Sequence, residues 1–132
     1  GGYALAEGGL NACLRDYARV GLLYLNDGMV GDTQLVPAEW VRETRQDGDK
    51  QAFLDYVYAS HYPNGAYKNQ FWIRDVEKQQ IMARGVFGQM IYVDPANDLV
   101  MAKLSTWPDF VDLGYSLDTM DVIDAVAAAL AD

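Results

Sequence analysis

This chain of 132 residues holds one cysteine, one histidine and ten basic residues. Cys13 alone excludes an internal disulfide and any multi-cysteine metal site. It lies inside an apolar helix face, which predicts a buried filler; a catalytic thiol would want a histidine nearby. The lone His61 falls in an irregular stretch without partners and reads as a solvated loop side chain. With 10 Lys+Arg against 19 Asp+Glu, the net charge is −9. That leaves too few cations to track a phosphate backbone or an anionic membrane surface, so neither nucleic acid nor membrane is expected as a partner. No run approaches the ~18 apolar residues of a membrane span, and no signal-peptide pattern is visible. Nothing here indicates a compartment. The chain opens Gly1-Gly2-Tyr3 without an initiator Met, which predicts a piece of a longer protein.

Complete catalytic motifs are missing as well. Ser60, Ser105 and Ser116 sit in neither Ser-x-x-Lys nor Gly-x-Ser-x-Gly. Asp109, Asp112, Asp118, Asp121 and Asp124 do not match a calcium loop and read as a solvated acidic helix face. Gly85-Val86-Phe87-Gly88 lacks the Lys-Ser/Thr of a phosphate loop; its glycines suit close backbone approach. No metal and no cofactor are expected.

What remains is an ordinary globular composition, 51% apolar and 22% charged. The chain is read as a single domain over residues 1–132, burying roughly two-thirds of its extended surface. Gly8-Gly9-Leu10 is a turn and Asn11 a plausible N-cap. Leu14, Tyr17, Ala18, Gly21, Leu22 and Leu25 follow at helical spacing, stopped by Asn26-Asp27-Gly28. Gly21 inside that helix suggests close packing against another element. A second helix begins at Pro37 and fades near Gln46-Asp47-Gly48. Phe53 to Tyr67 is irregular. Its tyrosines, with Phe71 and Trp72, either line an apolar pocket or, as favoured here, form core under a loop.

Strands are read at Asn69–Asp75 and Phe87–Val93, with a return strand at Leu99–Ser105 after the turn Asp94-Pro95-Ala96-Asn97-Asp98. Ile91 and Val93 make one face of the hairpin apolar and Met90 and Tyr92 the other, so the sheet needs cover on both sides. A last helix starts near Asp118, with Ile123, Val126, Ala127 and Leu130 as its apolar stripe. The order predicts an α+β fold, an antiparallel sheet flanked by helices, with too few helices to cover both faces.

Several segments together resemble the C-terminal part of the penicillin-recognising serine hydrolases, the superfamily of β-lactamases, DD-peptidases and related esterases. They are Gly8-Gly9-Leu10, then Arg15-Asp16-Tyr17-Ala18-Arg19-Val20-Gly21 ending in Tyr24-Leu25-Asn26-Asp27-Gly28, then Leu35–Val41, Tyr67–Trp72 and Ala83–Pro95. Leu99 to Pro108 is most similar to the 6-aminohexanoate-dimer hydrolase branch. The resemblance implies a partial β-lactamase/DD-peptidase-like fold whose catalytic serine comes from elsewhere. It implies a small-molecule amide or ester as substrate. Ala83, Arg84 and Gly85 stand where the family carries its third motif, Lys/His-Thr/Ser-Gly, and would border substrate. The missing Lys speaks against β-lactamase activity. Val86 N–H would be one oxyanion donor, and Arg84 would face solvent or hold a substrate carboxylate. The isolated chain would be inactive, pairing with the missing N-terminal portion or with itself. The rival readings are a non-catalytic module binding a peptide or partner at the sheet edge and a stable structural fragment.

Overall fold

The computed structural model describes residues 9–131, so Gly8 and the opening Gly1-Gly2-Tyr3 lie outside the described residues. Helix α1 spans Leu14–Leu25. A small hairpin follows, β1 (Met29–Val30) with β2 (Thr33–Gln34). Next come α2 (Ala38–Gln46), with Pro37 as its N-cap, and the short α3 (Lys50–Leu54). Five strands then run as an antiparallel meander in spatial order β3-β4-β5-β6-β7. They are Ala66–Lys68, Phe71–Asp75, Gln80–Arg84, Met90–Asp94 and Leu99–Lys103. Helix α4 (Leu113–Leu130) closes the fold. The α+β class read from the sequence holds, as does the antiparallel sheet between helices.

The turns explain the meander. Asn69 and Gln70 both take positive φ (48° and 68°), the twist-matched geometry of a two-residue hairpin. Between β6 and β7, the buried Asp94 carboxylate accepts from Ala96 N–H (3.2 Å), Asn97 Nδ2 (2.8 Å) and Gln80 Nε2 (2.8 Å). That carboxylate satisfies the turn and ties it to β5. Strand alternation then sends Ile73, Ile81, Ile91 and Val93 to one face, where they form a cluster with Tyr17, Tyr24 and Leu25 of α1. Met82, Met90 and Tyr92 point to the other, against Phe53, Tyr58, Tyr62 and Met120 and Ile123 of α4. The need for cover on both sides is met, and the helices suffice at the sheet's centre. Gly21 is the buried residue of α1; a Cβ there would collide with Val100 Cγ1 and lie 3.1 Å from Ile91 Cγ2. Its absence lets the helix backbone sit directly on β6 and β7.

Several expectations are corrected. Cys13 is exposed, not buried: it is the N-cap of α1, and its thiol donates to the Asp16 carboxylate (3.1 Å). Asn11 does not cap the helix; its Nδ2 donates to Gly9 O (3.1 Å). Leu14 and Leu22 are exposed, and the packed stripe runs through Tyr17, Gly21, Tyr24 and Leu25. The stretch from Phe53 to Tyr67 contains the end of α3 and a 3-10 turn at Ala59–His61; as favoured from the sequence, Phe53, Tyr58 and Tyr62 are core, with Tyr56 packed against them. Strand β5 was absent from the sequence reading, and Phe87 and Gly88 belong to a turn, not to β6. Helix α4 begins at Leu113 because the Asp112 carboxylate accepts from Tyr115 N–H (2.8 Å). Its buried face, Ser116, Thr119, Met120 and Ile123, continues helically into Val126 and Leu130, but the cover stops at Ile123.

Candidate functional site

A cleft of about 700 Å³ opens where the start of α1 faces the ends of β5, β6 and β7. Gly9 to Ala12 and Tyr17 form one wall; Ala83 to Val86, Gln89 to Ile91, Lys103 and Leu104 form the rest. All four residues picked from the sequence, Ala83, Arg84, Gly85 and Val86, border it. The first wall is held by α1 itself, because Tyr17 Oη donates to Leu10 O (2.7 Å).

The second wall is shaped by the β5–β6 connection. Gly85 is extended (φ −114°, ψ 162°) and its N–H donates to Gln89 O (2.9 Å). Phe87 sits in the left-handed region (φ 57°), and Gly88 follows at φ 83°. A non-glycine residue with positive φ needs outside support. Phe87 has it on both sides: its N–H donates to Phe110 O (2.9 Å) and its carbonyl accepts from Trp107 N–H (3.2 Å). The Trp107 ring lies where a Gly88 side chain would be. None of these bonds uses the N–H of Val86, whose side chain is exposed.

Arg84 behaves differently from the sequence expectation. Even positions of β5 point to the α4 side, so its guanidinium lies 3.9 Å from the Tyr58 ring centroid and donates to Ser116 Oγ. The cation is thus drawn to the α4 side through Nη2 and the Tyr58 ring, while its buried Nη1 has no hydrogen-bond partner. Ala83 has the opposite parity and packs with the cluster under α1.

The sequence reading missed Lys103, the amine bordering the cleft. It donates to Gly88 O (3.0 Å) and lies 4.4 Å from the Trp107 ring centroid. Desolvation lowers its pKa from the ordinary lysine value. A lysine closing the apolar run Leu99–Ala102 was the available signal. Gln89 was also missed as a structural tie. The serines are not brought together at the cleft: Ser116 is buried under α4, and Ser60 is exposed, 3.1 Å from His61 Nδ1. His61 instead borders a separate polar hollow of about 280 Å³ with Arg74, Lys78 and Asp124. Among the described residues no three His, Cys, Asp or Glu side chains gather as a metal site requires. No described helix is long and apolar enough to cross a membrane.

No protein-family model matches the chain. It is similar to the 6-aminohexanoate-dimer hydrolase of Paenarthrobacter ureafaciens, with 33% identity over an alignment of 132 residues that covers 95% of this chain and 34% of that protein. Among solved structures it is similar to the "Putative 6-aminohexanoate-dimer hydrolase from Bacillus anthracis", with a TM-score of 0.73 and 30% identity, covering 92% of this chain and 30% of that one. The chain spans about a third of the length of the relatives it matches. The resemblance to 6-aminohexanoate-dimer hydrolases, read from sequence segments, therefore extends over nearly the whole chain. Its kinship is with hydrolases.

Proposed function

We propose that the chain is the C-terminal part of a serine hydrolase that cleaves a small amide or ester through an acyl-enzyme. The serine and its general base would come from outside residues 1–132, since no serine here stands in Ser-x-x-Lys or Gly-x-Ser-x-Gly, and Ser60, the serine paired with His61, does not border the cleft. In the first step the serine oxygen bonds to the substrate carbonyl carbon as its proton passes to the general base, which then gives that proton to the leaving nitrogen or oxygen as its bond to the carbonyl carbon breaks. The carbonyl oxygen becomes an oxyanion, held by Val86 N–H and by the N–H of the serine itself. The protonated amine or alcohol then leaves, and water releases the acyl group in the mirror-image step. Ala83, Gly85 and the Gly9–Ala12 turn would form the substrate wall. Ala83 stands where the resemblance puts the lysine or histidine that would meet a β-lactam carboxylate. Amide or ester cleavage is therefore the better reading.

One observation carries the proposal: Ala83, Arg84 and Gly85, where the resemblance puts the third motif, and Val86 after them border a single cleft with the Gly9–Ala12 turn. Fluorophosphonate labelling read by intact mass tests it, on this chain and on the full product of its gene. A covalent adduct on the full product and none on residues 1–132 is the expected result. No adduct on either would overturn it and favour a non-catalytic module that binds a partner at the sheet edge. An adduct on residues 1–132 alone would refute the claim that they are inactive by themselves.

A further inference from the structure

Resting on the oxyanion reading, we propose that Gln89 is the positioning residue for Val86. An oxyanion donor is useful only if held to within about half an ångström. The segment that carries Val86 lies between two glycines, Gly85 and Gly88, and is loose by composition. Gln89 fixes it from both ends. Its main-chain oxygen accepts from Gly85 N–H (2.9 Å), immediately before Val86. Its side-chain amide makes a two-way pair with the backbone of Ser105: Nε2 donates to Ser105 O, and Oε1 accepts from Ser105 N–H (3.0 Å). A side chain thus extends the β6–β7 ladder past its last strand pair, Met90 with Lys103.

The same amide lies 3.5 Å from Phe87 O, the carbonyl that Trp107 N–H also holds. Gly85 fits this arrangement: a Cβ there would lie 3.0 Å from Gln89 Cβ and 3.4 Å from Cγ. The glycine leaves room for the glutamine that fixes its own turn. Gln89 also borders the cleft, yet both ends of its amide are occupied by protein backbone, which suits support rather than substrate contact.

The test uses the full gene product with an amide or ester substrate. Gln89→Leu removes both amide bonds; Gln89→Glu keeps the acceptor for Ser105 N–H but sets its second carboxylate oxygen against Ser105 O. Val86→Pro deletes the proposed donor itself, at a position whose predecessor already has the extended backbone that proline demands. Loss of a whole oxyanion donor lowers kcat by about 10²–10³-fold. Gln89→Leu and Gln89→Glu should each lower kcat by about 10–100-fold with KM held within about twofold, and the fluorophosphonate rate should follow kcat. If Val86→Pro destroys turnover while a folded Gln89→Leu retains it, the positioning role is wrong and the oxyanion reading stands. A raised KM at unchanged kcat would also overturn it, since Gln89 would then bind substrate. Full turnover in Val86→Pro, or none in wild type, would remove the oxyanion reading and this inference together. If Gln89→Leu fails to fold, Gln89→Glu decides by the same readout.

Discussion

Gly88→Ala should weaken the fold at the turn beside the cleft, for two separable reasons. The first is backbone. Gly88 has φ 83°, and alanine in that region costs about 1–2 kcal/mol. The second is space. A Cβ at Gly88 would lie 2.5 Å from Trp107 Cδ2 and 2.8 Å from Cζ2, against the ring. Overpacking of this kind costs about 1–3 kcal/mol, towards the lower end here because the half-buried Trp107 can tilt outward. The expected loss is about 2–4 kcal/mol, or roughly 10 °C in Tm for a chain of this size. Gly31→Ala supplies the backbone part alone, since Gly31 has φ 56° and nothing within 4 Å of a Cβ. Urea unfolding of both variants, and of Gly88→Ala in a Trp107→Ala background, isolates the ring contact as a double-mutant cycle. If Gly88→Ala costs no more than Gly31→Ala, Trp107 is not seated against the turn. If the excess survives without the ring, its cause lies elsewhere.

Two other outcomes follow from charge and exposure. Arg74 grips Asp124 through Nη1 and Nη2 (2.7 Å each), joining β4 to α4, and its hydrogen bonds hold the Asp124 carboxyl below the usual carboxylate range. A lowered folded-state pKa contributes stability above the unfolded value of about 3.9 and loses it as pH falls through the folded value. The gap in urea midpoint between wild type and Asp124→Asn should be constant from pH 7 to about 5 and close below about pH 4; a gap that widens in acid would refute the assignment. Cys13 is exposed, so a disulfide reagent should titrate one thiol in the native chain at once; a lag until urea is added would restore the buried reading.

Legibility divided along physical lines. Where the sequence repeats a period against a covered face, it could be read: Tyr17, Gly21 and Leu25 marked α1, and Ile91, Val93, Met90 and Tyr92 marked a strand with two apolar faces. Helix starts were harder, because a cap is one side chain among several candidates. Asp112 caps α4 six residues before Asp118, whose own placement at a helix start looked equally favourable. Strand β5 was hidden by its ends: Gln80 is spent on the Asp94 carboxylate and Arg84 on Ser116, so polar residues flank three buried or half-buried apolar ones.

The site shows the same division more sharply. The glycines Gly85 and Gly88 could be noticed because their spacing is local, but the turn they make, which takes Phe87 and Gly88 out of the strand, and its supports cannot be found that way. Gln89 meets Ser105 sixteen positions away, and the partners there are backbone atoms, which every residue possesses. No residue type at position 105 would have betrayed the bond. Arg84 fails for a different reason. Which face a strand residue points to depends on parity, and parity is read from contrast between neighbours. Met82 and Ala83 are both apolar and belong to opposite clusters, so contrast vanishes just where the choice matters. Only the cover decides it, with the Tyr58 ring and Ser116 hydroxyl waiting on one side and the cleft on the other. A cation next to a motif glycine is therefore weak evidence of substrate binding in a two-faced strand, until the residue that packs over it is known.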